Sequence, residues 1–391
     1  MTVPAPRARR RPSPAGRLLP MLLVLTLLAP LAVLFGQSWR STDGDRRLVV
    51  TERLGVEYLR ALAPVTDALV DAQTATVTGR PVSGDALTRA VGTAAAVDAR
   101  IGDELRSRER WAGLRAKIEA LRDRRPADPE AAYAAYGEVT DLLLALHRKV
   151  RETSGLVRDP ASDSFFLQAG VGEKLPEAIV AAGRLADLTV LAARRPADRQ
   201  APTVAELAAV RVAALAPAGA LVADLRAAVD SSESTDLGAN VLTPLDIYQR
   251  SVEALAAYST PTGATGAVDG PRLAAARSAA QAAAGQLQPV ILDELDALLA
   301  DRLDALDHDR RLAVAAAAAG VVLLVVLALA LLAAYRRAAD ARRATDRPAA
   351  PPAADGWQPP AGRPDEVRPF QPAGPAREPQ PAQWGPFDAA R

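Results

Sequence analysis

The chain contains no cysteine, which excludes disulfide scaffolds, cysteine nucleophiles and thiolate metal sites by inventory. Histidine is nearly as scarce. His147 and His308 are the only two, so a histidine relay or metal site has almost nothing to build on. Aromatic residues make up 4% of the 391 residues, and any core must be assembled mainly from Leu, Val and Ala, which favours packed helices. Neither sign of charge dominates: 47 basic residues stand against 46 acidic, net +1, without the basic excess that a nucleic-acid binder needs. Phosphate-cradling loops, nucleophile elbows and residues at metal-ligand spacing are also missing. The sequence therefore offers no catalytic, cofactor-binding or metal-binding set and reads as a non-enzyme.

What is present is strongly apolar near each end. LLPMLLVLTLLAPLAVLFG (18–36) and LAVAAAAAGVVLLVVLALALLAAY (312–335) carry no charge, and each is long enough for a hydrocarbon core of roughly 30 Å, which takes about 20 helical residues. A cleaved signal peptide is the other reading of the first run. A cut after Gly36 would put Leu34 where a small residue is needed, so an uncleaved anchor is expected. Pro20 and Pro30 predict kinks in it. Arginines crowd the start (Arg7, Arg9, Arg10, Arg11, Arg17) and the far side of the second run (Arg336, Arg337, Arg342, Arg343). The positive-inside rule then places both termini in the cytoplasm of a bacterial cell and 37–311 outside, although Arg46, Arg47, Arg310 and Arg311 weaken the contrast. Ala316 and Gly320 have small-xxx-small spacing. Alanine-rich composition also accounts for that spacing, and a homodimer stays open.

The segment 37–311 shows apolar residues at spacings of three and four rather than strand alternation. One stripe is Leu54, Tyr58, Leu62, Val65 and Leu69; another is Ile291, Leu295, Leu298, Arg302 and Leu306. Breakers predict helices near 42–77, 84–123, 129–157, 161–194, 202–231, 241–258 and 270–309. Seven helices cannot leave a membrane and return to it by full traverses, so one junction should not reverse direction. The Asp-Pro step at 158–163 is the candidate. The expected architecture is all-α: two transmembrane helices flanking an extracytoplasmic antiparallel helical bundle, or two stacked bundles sharing long helices. The last outer helix runs almost unbroken into the second span, as a lever or as a static stalk. Its acidic face (Asp293, Glu294, Asp296, Asp301, Asp304, Asp307, Asp309) reads as solvated, and His147 as a partly exposed residue near a helix end.

Two stretches carry a resemblance. ERLGVEYLRAL follows the first span, and DPASDSFFLQAGVGEKLPEAI lies mid-chain. Together they resemble the extracytoplasmic helical sensor regions of bacterial sensor histidine kinases and methyl-accepting chemotaxis proteins. Asp159, Pro160, Asp163, Ser164, Leu167, Leu175 and Pro176 fit the D-P-x-x-D-S-Y-Y-L…L-P motif of that group, while Phe165 and Phe166 replace its usual tyrosines. The resemblance implies a helical sensing region that passes a signal across the membrane. A functional reading puts Arg158, Asp159, Asp163, Ser164 and Lys174 in a polar notch around a small solute, with Phe165 and Phe166 as one wall. The structural reading, which is favoured, has Asp159 and Ser162 capping a helix while the two phenyl rings fill a bundle joint.

Beyond the second span such receptors continue into a relay module and a kinase or signalling hairpin. Here RRAADARRATDR gives way at Pro348 to a proline-rich tail, which is expected to be disordered with polyproline II character. Trp357, Phe370, Trp384 and Phe387 are spaced along it, as anchors for a cytoplasmic signalling partner or as parts of a plain tether. The function expected is a membrane sensor that borrows its output. A non-switching envelope scaffold that contacts another envelope protein is the alternative.

Overall fold

The computed structural model describes residues 15–124, 126–157, 162–196, 199–232, 235–260 and 268–345. Every regular element among them is helical: α1 (Ala15–Thr78), α2 (Gly84–Ile101), α3 (Arg108–Asp123), α4 (Pro129–Ser154), α5 (Ser162–Ala169), a π-helical turn (Gly170–Lys174), α6 (Leu175–Ala192), α7 (Gln200–Ser231), α8 (Thr235–Tyr258) and α9 (Gly270–Thr345). The chain divides into two units, Met1–Leu331 and Leu332–Arg391. In the second, the described residues 332–345 are the helical end of α9. The proline-rich tail, with Trp357, Phe370, Trp384 and Phe387, lies outside the described residues.

The apolar stripes do what their spacing predicts. Tyr58, Leu62, Val65 and Leu69 of α1 are fully buried, as are Ile291 and Leu295 of α9, while Leu54, Leu298 and Leu306 pack on the edge of the same core. Burying a leucine-sized side chain contributes about 1.5–3 kcal/mol, and this repetition along each rod offsets the scarcity of aromatics. Helix ends follow local chemistry. Asp128 accepts the Ala131 amide at 2.8 Å and caps α4, and Gly155 closes α4 at φ +92°, where a side chain would be strained.

Ion pairs and polar contacts fix the directions of the rods. Arg46 pairs with Asp307, Arg53 with Asp296 and Arg60 with Asp293, so α9 runs antiparallel to α1. The acidic face of α9 is therefore not simply solvated. Three of its aspartates meet arginines of α1, and Glu294 accepts from Asn240 at 2.6 Å. Arg151 with Glu173, Arg148 with Glu177 and Arg195 with Glu130 set α4 against the π turn and α6. Lys117 with Glu138 and Arg110 with the Ala145 carbonyl set α3 against α4. Arg226 with Asp246 and Arg211 with Thr260 set α7 against α8.

Two expectations fail here, and they fail together. The predicted helix 84–123 is two helices, α2 and α3. The break has a tertiary cause: Leu105 is fully buried between them, Arg106 takes φ 50°, and the Asp98 carboxylate accepts from both Tyr58 and Ser107 at 2.8 Å. The 158–163 junction was expected not to reverse, yet α4 and the α5–α6 rod are antiparallel. The additional break supplies the even number of rods instead. Residues 158–161 themselves lie outside the described residues.

Two helices among the described residues are long and apolar enough to cross a membrane, Pro202–Ser231 and Gly270–Ala338. They differ physically. The first buries Leu207, Leu221 and Leu225 in the protein core and carries charges, with Glu206 bound to Arg195. The second contains the expected 312–335 span, where Leu312, Val321, Leu323 and Leu329 are all exposed. The other expected span, 18–36, falls within α1; the side chains of 18–25 lie outside the described residues, and Leu28, Val33 and Leu34 are exposed. Just beyond these segments the Arg310 guanidinium stacks 4.0 Å from the Trp39 ring centre.

Candidate functional site

The residues singled out from the sequence are described only in part. Arg158 and Asp159 lie outside the described residues, as does the side chain of Asp163. Ser164 is buried and engaged in a polar interaction. Lys174 sits half-buried on the π turn, where its charge partly counters the upward pull of burial on the Asp224 carboxyl. The phenyl rings meet edge to face, with centroids 5.7 Å apart at 72°. Only Phe166 packs on the core, however. Phe165 is 38% exposed, so the expectation that both rings fill a joint is corrected: successive helical positions point about 100° apart, and one of the two must face outward.

A different site is built near the opposite ends of α1 and α9, where α6 joins them. A cleft of about 410 Å³ is lined by Thr74 and Thr78 of α1, Arg80 just beyond it, Asp187 and Val190 of α6, and Leu273 and Arg277 of α9. Asp187 is 0% exposed. Its Oδ2 accepts from Gln73 Nε2 at 2.9 Å, while its Oδ1 has no hydrogen-bond partner. The buried Thr74 hydroxyl is likewise without an aligned partner, although it lies near enough to favour the charged carboxylate. Burial pushes the Asp187 carboxyl up to about 6, against the opposing pull of Thr74, Gln73, Arg277 and Arg80.

Arg277 is buried and held in place. Its Nη2 donates to Asp71 Oδ1 at 2.8 Å and to the Val70 carbonyl at 3.3 Å, leaving Nε without a partner. Arg80 is exposed at the cleft, its Nε donating to Thr78 Oγ1 at 3.1 Å. About two turns back along the same face of α1, Asp67 lies in a second cleft with Arg60, Arg89 and Gln288, and burial raises it to about 6.

No family model, curated protein or solved structure matches the chain. The reading of the site therefore rests on its chemistry. Among the described residues no group of three His, Cys, Asp or Glu side chains could hold a metal ion. The cleft presents one buried acceptor, hydroxyls and two guanidinium groups, an arrangement that can bind a small polar molecule. Sequence reasoning missed Asp187, yet a signal was there: in LADLTVLA it is the single charge on an otherwise apolar stretch of helix, and such a residue is buried only with partners or for a purpose.

His147 also departs from expectation. It is 1% exposed, with Nε2 3.3 Å from Thr66 Oγ1. Burial pulls its pKa down to about 3, so it is a neutral core residue.

Proposed function

We propose that the chain is a two-span membrane protein whose 37–311 region is an extracytoplasmic, receptor-like sensing bundle, binding a small solute in the Asp187 cleft and acting on a separate cytoplasmic partner through its tail. The observation that carries this reading is the joint role of α1 and α9. Both line the cleft, both contain the expected spans, and between cleft and spans they are joined by the Arg60–Asp293, Arg53–Asp296 and Arg46–Asp307 rungs. A ligand that alters their packing at one end biases it at the other, provided two packings of similar energy exist. The resemblance to sensor regions of histidine kinases and chemoreceptors supports the same reading.

A scaffold role is the second reading, favoured by exposed Val204 and Val212 on α7 and Leu242 and Ile247 on α8, apolar groups that an envelope partner would cover. Photocrosslinkers placed at Trp357 and Trp384 in intact membranes separate the two. Capture of a histidine kinase or chemoreceptor, identified by mass spectrometry, is the expected result; capture of envelope-assembly proteins alone overturns the sensor reading.

A further inference from the structure

We infer that the Asp187 cleft takes a small zwitterion, with an ammonium group at one end and a carboxylate at the other. The inference rests on the sensing reading above and names the class of its ligand.

The base of the cleft asks for a donor. Asp187 Oδ1 is buried without an aligned hydrogen bond; the neighbouring Thr74 hydroxyl favours the charged carboxylate without being aligned on it, so the acceptor is underserved unless something binds it. Gln73 already satisfies Oδ2, so the open position is directional. A charged N–H donor fits a carboxylate better than a neutral one, because charge-assisted hydrogen bonds are roughly twice as strong. The opposite sign lines the same cleft: Arg80, exposed, and the unpartnered Nε of Arg277. Val190, Leu273, Ala186 and Ala274 lie along the remaining wall and suit a short aliphatic body.

Single-charge ligands fit less well. An alkanoate meets the arginines but is repelled by Asp187, and an alkylamine meets Asp187 but is repelled by Arg80. A molecule carrying both charges satisfies both ends, and the burial that penalises a lone Asp187 carboxylate is offset by the ammonium beside it.

The test uses the full chain in nanodiscs, with glycine, β-alanine, γ-aminobutyrate and δ-aminovalerate as probes and butylamine and butyrate as single-charge comparators. Calorimetry and thermal melting are read on the wild type, Asp187→Asn and Arg80→Gln. At least one zwitterion is expected to bind the wild type and raise its melting temperature. Butylamine and butyrate should bind at least about ten-fold more weakly, and Asp187→Asn should lose about ten-fold or more, the scale of one charge-assisted hydrogen bond. Asp187→Asn retains an oxygen for Gln73, and its cooperative melt without probe serves as the folding control. Butyrate binding as tightly as the zwitterions overturns the ligand class and leaves the sensing cleft standing. Equal binding by wild type and Asp187→Asn overturns the cleft itself. Absence of binding by every zwitterion overturns the inference, whereas the sensor reading is decided separately by the crosslinking at the tail.

Discussion

Arg53 of α1 grips Asp296 of α9 with two hydrogen bonds, Nε to Oδ1 at 2.9 Å and Nη2 to Oδ2 at 3.3 Å. The hydrogen bond to Asp296 raises the arginine's pKa further, so the guanidinium of the rung stays charged at any working pH. Both side chains are about two-fifths exposed, 40% and 39%, which limits the energy of the rung. In a double-mutant cycle with Arg53→Ala and Asp296→Ala, followed by chemical denaturation, the coupling should be about 0.5–1 kcal/mol and should shrink as salt is raised. The ladder sets register more than stability.

Gly183 of α6 lies against Val70 of α1, and a Cβ built there would stand 2.5 Å from Val70 Cγ1. Gly183→Ala should therefore destabilise by about 1–3 kcal/mol through overpacking of a close helix contact. Val70→Ala in the same chain should recover part of that loss in a denaturation series.

His147 gives the stability an acid limb. Its pKa falls from 6.5 to about 3 on burial, so its contribution is fully present above pH 6.5 and is lost as pH drops towards 3. The loss should be on the order of 4 kcal/mol by the lower limit. His147→Gln, measured by denaturant melts across that range, should flatten this limb.

Asp187 acts in the opposite sense. Its pKa rises from 3.8 to about 6, so stability is fully present below 3.8 and declines as pH rises through about 6, by up to about 3 kcal/mol. The charges acting on it are Arg277 and Arg80, which oppose the rise, while Tyr133 of α4, whose own pKa burial lifts to about 12, is neutral in this window. Asp187→Asn should remove its share of the decline, as followed by thermal melting between pH 4 and 7, leaving the share of Asp67, which burial also lifts to about 6.

The two phenylalanines should separate cleanly. Phe166 packs on the core while Phe165 is exposed. Phe166→Ala should cost about 1–3 kcal/mol and Phe165→Ala about 0.5 kcal/mol or less in the same denaturation assay.

Much of the helical framework can be read along the chain. Leu54, Tyr58, Leu62, Val65 and Leu69 mark one face by spacing alone, and Asp128-Pro129 or Gly155 mark ends by local chemistry. The α2–α3 break cannot be read that way. IGDELRS contains no proline and a single glycine, and what stops the helix is Leu105 entering a core built by distant residues. His147 misleads for a related reason: Arg148 and Lys149 adjoin it in sequence, but a helix turns them to other faces. Asp187 becomes meaningful only once α1 and α9 close around it, because Gln73, Thr74 and Arg277 come from rods far apart in sequence.

The absence of native cysteine allows the membrane arrangement to be measured with single introduced thiols. Glu152→Cys places one on the exposed side of α4, and Trp357→Cys places one in the tail. A membrane-impermeant maleimide applied to intact cells should label the first without lysis and the second only after permeabilisation. Labelling of the tail position in intact cells, with the α4 position protected until lysis, would contradict the placement of the bundle outside the membrane.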